Sequence, residues 1–139
     1  DKMTLAAFEC TLRLYLQDRW REIPTLQMLS MTLTDMKRSA GGLAARLRKV
    51  IPDAEIKVVQ VEDAVGGGAF PTTGLQGYGV SIRNHPWGSA GTLQSCLRSC
   101  SVPVIIGAGD DTAIIHVRTL RKGDEKIIVD NFKAMLSRE

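Results

Sequence analysis

The sequence of 139 residues carries 18 Lys and Arg against 15 Asp and Glu, a formal net charge of +3, with 44% hydrophobic and 24% charged residues. That length suits one domain with an appended element, and the composition excludes a disordered or collagen-like chain. No apolar run approaches the ~20 residues of a membrane helix, and the mild positive charge is spread along the chain, so neither a transmembrane protein nor a charge-driven nucleic-acid binder is indicated.

The chain opens on Asp1 without an initiator methionine or a visible signal peptide, and we expect a piece of a longer protein. Leu5, Phe8, Leu12 and Tyr15 recur at helical spacing and predict a helix over residues 1–16 with one apolar stripe. Charged residues from Asp18 to Glu22 interrupt that pattern, and Pro24 then suits the first turn of a short helix ending near Ser30. Leu26, Met28, Leu29, Met31 and Leu33 make this connector apolar enough to expect a surface against which it lies. The expected division is a connecting helix and apolar linker over 1–33, followed by a small domain over 34–139.

Thr34 reads as the N-cap of the next helix, on which Met36, Ala40, Leu43, Leu47 and Val50 follow at spacings of four and three. Gly41 and Gly42 fall inside it and cost roughly 1 kcal/mol each relative to alanine, which implies either a close backbone neighbour or a locally weak helix. Its basic face, with Lys37, Arg38, Arg46, Arg48 and Lys49, reads as a solvated surface rather than an RNA site. After Pro52, residues 56–61 are rich in β-branched side chains and predict a strand. A second strand has Tyr78, Val80 and Ile82 alternating with Gly79, Ser81 and Arg83.

His85-Pro86-Trp87-Gly88 turns the chain, and a histidine before proline in a turn reads as structural rather than as a catalytic base. Ser89 caps a helix bearing Leu93, Cys96, Leu97 and Cys100 on one side. Packing suits the two thiols better than half a metal site, because neither His85 nor His116 stands at zinc-type spacing from them. With Cys10 they make an odd count in a chain lacking secretory signals, which favours reduced thiols and a cytoplasmic setting. Residues 103–106 and 112–118 predict a hairpin turning at 107–111, with Ala113, Ile115 and Val117 on one face and Ile114, His116 and Arg118 on the other. A last helix opens at Gly123-Asp124 and turns Ile128, Phe132 and Met135 inward. The expected class is α+β, an antiparallel sheet with helices on one face.

Between the first two strands stands Val65-Gly66-Gly67-Gly68-Ala69-Phe70-Pro71. Three successive glycines bring no side chain to packing and lose the most backbone entropy on folding, so the position calls for bare backbone. That need arises in a positive-φ turn or in a concavity of N–H groups that touches an anion. No Gly-Lys-Ser or Gly-Lys-Thr follows, GxGxxG spacing is absent and Pro71 blocks an immediate helix, so neither nucleotide fingerprint is met. A flexible connection is the plain alternative; the functional reading is a loop laid against a small anion, with its cationic partner elsewhere in the chain.

Five segments occur in an order that resembles the C-terminal portion of the bacterial selenocysteine synthase family, the L-seryl-tRNA(Sec) selenium transferases. They are Asp1-Lys2-Met3-Thr4-Leu5-Ala6-Ala7, Arg21-Glu22-Ile23-Pro24-Thr25-Leu26, the glycine loop, Val102-Pro103-Val104-Ile105 and Val117-Arg118-Thr119. The resemblance implies a pyridoxal-phosphate enzyme of the aspartate aminotransferase fold, of which residues 34–139 would be the small domain. It implies that the Schiff-base lysine, the groups holding the cofactor phosphate and the tRNA-engaging region precede Asp1, so no catalytic residue is expected in this chain, nor pyridoxal 5'-phosphate bound by it alone. Seryl-tRNA(Sec) and selenophosphate are the implied partners, in a cytoplasmic homo-oligomer built from dimers, without metal or membrane. By position, Gly66, Gly67, Gly68 and Arg118 are the implied substrate-binding residues, an arginine suiting the task through its planar fork. Two other readings stand beside this one. They are a related pyridoxal-phosphate lyase or transferase acting on a small amino acid or amino sugar phosphate, and a stand-alone ligand- or RNA-binding α+β module.

Overall fold

A computed structural model describes residues 1–65, 70–109 and 111–137. The chain divides into two compact units, Asp1–Thr32 and Leu33–Glu139. In the first, α1 (Lys2–Leu16) begins where the Asp1 carboxylate accepts from the Thr4 backbone N–H at 2.9 Å. That bond satisfies one of the amide groups a helix start leaves open. The apolar stripe falls on α1 as its spacing predicts, but Leu5, Phe8, Leu12 and Tyr15 are all exposed, Leu5 at 68%. A short 3₁₀ turn at Trp20–Glu22 and α2 (Pro24–Leu29), with Pro24 in its first turn, complete this unit.

Among the described residues the second unit contains α3 (Leu33–Val50), β1 (Glu55–Val65), β2 (Phe70–Arg83), α4 (Ala90–Arg98), β3 (Gly107–Ala108), β4 (Ala113–His116) and α5 (Asp124–Leu136). The strands form one antiparallel sheet in the order β1-β2-β4-β3. Period-two alternation sets Ile56, Val80, Ile82, Ala113 and Ile115 on one face, where all are buried. The helices bring Met36, Leu43 and Leu47 of α3, Leu93 and Leu97 of α4, and Ile128 and Phe132 of α5 to the same core. Burying each such side chain contributes about 1.5–3 kcal/mol. The unit is therefore α+β, with an antiparallel sheet and its helices on one face, as the pattern of apolar residues implies.

Polar bonds tie the layers at their edges. Nε and Nη2 of Arg48 donate to the Ile56 carbonyl at 3.2 and 2.8 Å, joining the end of α3 to the start of β1. Ser39 Oγ donates to Glu125 Oε1 at 2.9 Å between α3 and α5, and Asn131 Nδ2 of α5 donates to the Val102 carbonyl at 2.9 Å.

The structure differs from sequence-based expectation in four places. The expected strand over 103–106 is irregular, because the Val104 N–H is taken by the Leu97 carbonyl and the Ile106 carbonyl by Gln94 Nε2; the paired strand is instead the two-residue β3, and β4 is shortened to match. The first two strands are longer than their β-branched centres suggest, since β1 and β2 continue pairing through Gly74 and Phe70. Helix α3 starts at Leu33, so Thr34 lies in its first turn instead of capping it. Cys96 and Cys100 are only half-buried, and α4 seals the core with Ala90, Leu93 and Leu97. As for the glycine pair of α3, nothing from outside the helix lies within 4 Å of a Cβ built at Gly41 or Gly42 among the described residues.

Candidate functional site

With one face of the sheet filled by helices, chemistry is left to the other. Register puts Val59, Val61 and Asp63 of β1, Gly77, Gly79 and Ser81 of β2, and Ile114 and His116 of β4 on that open face. Past His116, the Val117 N–H still donates to the Tyr78 carbonyl at 3.3 Å, which carries the chain alongside β2 to Arg118. Three polar side chains from two distant strands converge here.

Asp63 is the centre of the group. Its Oδ2 accepts from Arg118 Nε at 2.7 Å and its Oδ1 meets His116 Nδ1 at 2.7 Å. Arg118 Nη2 also donates to the Gln76 carbonyl at 2.7 Å, so one guanidinium spans from the end of β4 across β2 to β1. The Asp63 and Arg118 side chains are 10% and 8% exposed, while that of His116 is 37% exposed. Ionised partners make such bonds shorter and stronger than neutral ones. A buried pair of this kind needs both members, since removing one leaves an uncompensated charge at a cost of about 3–5 kcal/mol.

Glycine makes room for it. A Cβ at Gly77 would collide with Asp63 Oδ2 and come within 3.5 Å of Arg118 Nη2. At Gly79 it would stand 2.9 Å from the Ile115 carbonyl oxygen and 3.2 Å from Val61 Cγ1. The ion pair therefore lies flat on bare backbone, in volume that any larger residue would occupy.

Of the residues singled out from sequence, Gly66, Gly67 and Gly68 lie outside the described residues. Arg118 is buried, bonded to Asp63 and Gln76, and on the same side as His116, as strand alternation predicts. Sequence reasoning passed over Asp63 and Gly77. Asp63 shares its parity with Val59 and Val61, which marks its face, but only the β1/β2 register sets its carboxylate over Gly77.

His85 sits apart from this group. It is 7% exposed, and its Nδ1 meets no hydrogen-bond partner within normal bonding distance among the described residues. Burial holds its pKa below the ordinary imidazole value, with a backbone hydrogen bond partly opposing. Its ring lies 5.9 Å from that of Trp87, which meets Phe132 edge-on at 5.5 Å. These are the contacts of a packed turn residue.

Every lysine in the chain is exposed. Among the described residues no three His, Cys, Asp or Glu side chains are grouped to hold a metal ion, and no helix is long and apolar enough to cross a membrane.

Comparison with known proteins gives this arrangement a context. A protein family described as SelA, L-seryl-tRNA selenium transferase, matches residues 1–121. A protein named L-seryl-tRNA(Sec) selenium transferase from Clostridium botulinum (strain Hall) is 36% identical over 138 residues, covering 98% of this chain and 30% of its own length. Proteins of the same name from Geotalea uraniireducens and Caldanaerobacter subterraneus subsp. tengcongensis are 36% and 34% identical over 132 and 130 residues; each match covers 93% of this chain and 28% of theirs. The chain thus spans about 30% of the length of the curated relatives it matches, a C-terminal portion of them. Agreement over nearly its whole length, through both units, makes the chain a member of the L-seryl-tRNA selenium transferase family.

Proposed function

We propose that this chain is the C-terminal part of an enzyme that converts seryl-tRNA(Sec) to selenocysteinyl-tRNA(Sec) with selenophosphate as selenium donor. The observation carrying this reading is the 36% identity over 98% of the chain to a transferase named for that substrate. Pyridoxal 5'-phosphate, its Schiff-base lysine and the tRNA-engaging region are assigned to the part of the protein preceding Asp1. In this reading residues 1–33 link that part to the small domain of 34–139, and the enzyme is a cytoplasmic homo-oligomer built from dimers.

Within the small domain, the substrate-binding corner comprises the backbone of Gly66, Gly67 and Gly68 together with Arg118. In sequence the glycine run begins three residues after Asp63, beyond the end of β1. An aminoacyl ester has no free carboxylate, so the corner meets the substrate through its remaining groups. The reading is tested by incubating the complete protein with seryl-tRNA(Sec) and labelled selenophosphate and following label into tRNA. Label transferred to the aminoacyl group is the expected result; transfer to a free amino acid or amino sugar instead would replace this reading with the related lyase or transferase.

A further inference from the structure

Arg118 and Asp63 together carry no net charge, and Nε and Nη2 of the guanidinium are committed to Asp63 and Gln76. The cluster is therefore poorly suited to attracting an anion. A carboxylate can only accept, so the 2.7 Å contact with Asp63 puts the proton of a neutral His116 on Nδ1. That leaves Nε2 with its lone pair, and no hydrogen bond is made at Nε2 among the described residues. Gly107 of β3 is its neighbour there: a Cβ at that position would stand in ordinary contact, 3.7 Å from Nε2. The ring is 37% exposed on the face of the sheet opposite α3, α4 and α5, while its two supporting residues are nearly buried.

We propose that Nε2 of His116 is the substrate-facing atom of this cluster, with Asp63 and Arg118 behind it as positioning residues. The group it takes is a hydrogen-bond donor, the side-chain hydroxyl of the seryl moiety, and not a free carboxylate or phosphate. The choice of seryl rests on the functional reading above; the preference for a donor rests on the tautomer and the charge balance alone. A site that pairs a substrate hydroxyl rejects an analogue lacking it, because its own polar group is then left unpaired. His116 is thus a specificity-determining residue.

The chain has only two histidines, His85 and His116, so nitrogen NMR of the 139-residue protein distinguishes their rings by substitution of either. Above the imidazole titration range, His116 is expected with its proton on Nδ1, and Asp63→Asn is expected to abolish that preference. A proton on Nε2 in the wild type overturns the proposal and leaves the functional reading untouched. In the complete enzyme, His116→Leu is expected to lower kcat/KM for seryl-tRNA(Sec) by roughly tenfold or more, with His116→Gln, which retains an acceptor oxygen, recovering much of the loss. Binding of alanyl-tRNA(Sec), whose aminoacyl side chain has no hydroxyl, is expected not to weaken in His116→Leu. Equal losses for the seryl and alanyl forms, or full activity of His116→Leu, overturn the proposal. A wild-type enzyme that converts no seryl-tRNA(Sec), with the Nδ1 proton found as expected, overturns the functional reading and with it the choice of seryl.

Discussion

Asp63 and Arg118 lie 55 positions apart in sequence and 2.7 Å apart in space, joined over the missing side chain of Gly77. β4 pairs with β2 as far as His116, and the Val117 N–H adds one bond to the Tyr78 carbonyl beyond it, so Asp63 holds the segment after β4 one residue further. The ion pair continues where the ladder stops. Its energetics can be separated from its role in function.

Asp63→Asn should destabilise the second unit by about 3 kcal/mol, since the buried Arg118 charge loses the carboxylate that balances it. Arg118→Met should cost a similar amount by stranding the carboxylate. The double variant should cost less than the sum, because it strands neither. Urea unfolding of the four proteins measures the coupling; additive losses would show that the two side chains do not act as a pair.

In the complete enzyme, Arg118→Ala should lower kcat/KM by on the order of tenfold to a hundredfold, about 1.4 kcal/mol per factor of ten. Arg118→Lys should restore part of this. A lysine keeps the charge but cannot reach Asp63 and the Gln76 carbonyl at once as the planar fork does. Steady-state kinetics on well-folded variants decides the matter, and near-normal turnover in Arg118→Ala would remove Arg118 from the site.

Gly41→Ala and Gly42→Ala should each stabilise the protein by roughly 1 kcal/mol, because both lie within α3, have open space where a Cβ would go and lack a positive φ. Thermal unfolding provides the measurement. A lowered Tm for either variant would mean that the added methyl is not accommodated at that position.

Stability should fall on acidification because of His85. Its folded pKa is depressed by burial, so below the unfolded value of ~6.5 the unfolded chain binds the extra proton first, and unfolding is favoured until the folded state also titrates. Above ~6.5 both states are neutral and His85 contributes no slope. Unfolding midpoints from about pH 8 to about pH 5 should therefore be flat and then decline, with a shallower decline in His85→Phe. An unchanged slope in that variant would assign the effect to other groups.

The chain by itself should not acquire pyridoxal phosphate at one site, since its lysines are all exposed. Borohydride reduction after adding the cofactor, followed by peptide mapping, should give scattered surface adducts at most. A single modified lysine, in stoichiometric yield, would show that a cofactor site does form here.

What the amino-acid order determines by itself is the local periodicity and its consequences. The apolar spacing of Met36, Leu43 and Leu47, and of Ile128 and Phe132, marks helix faces that are buried as expected. The alternation from Ala113 to Arg118 separates core from open face without any knowledge of neighbours. Motif order from Asp1 to Thr119 carries the family, and the glycine run advertises a need for bare backbone. Register and non-local pairing lie beyond such signals. Residues 103–106 look like a strand, but α4 takes their backbone groups through Leu97 and Gln94, a competition visible only once both segments are in place. Gly77 reads as a weak point in a strand until Asp63 is brought over it. His116 and Arg118 were legible as neighbours on one face; that a carboxylate from another strand would pair with the arginine and engage the histidine's Nδ1 was decided by the pairing of β1, β2 and β4, because side-chain chemistry across a sheet depends on which residues the ladder places opposite one another.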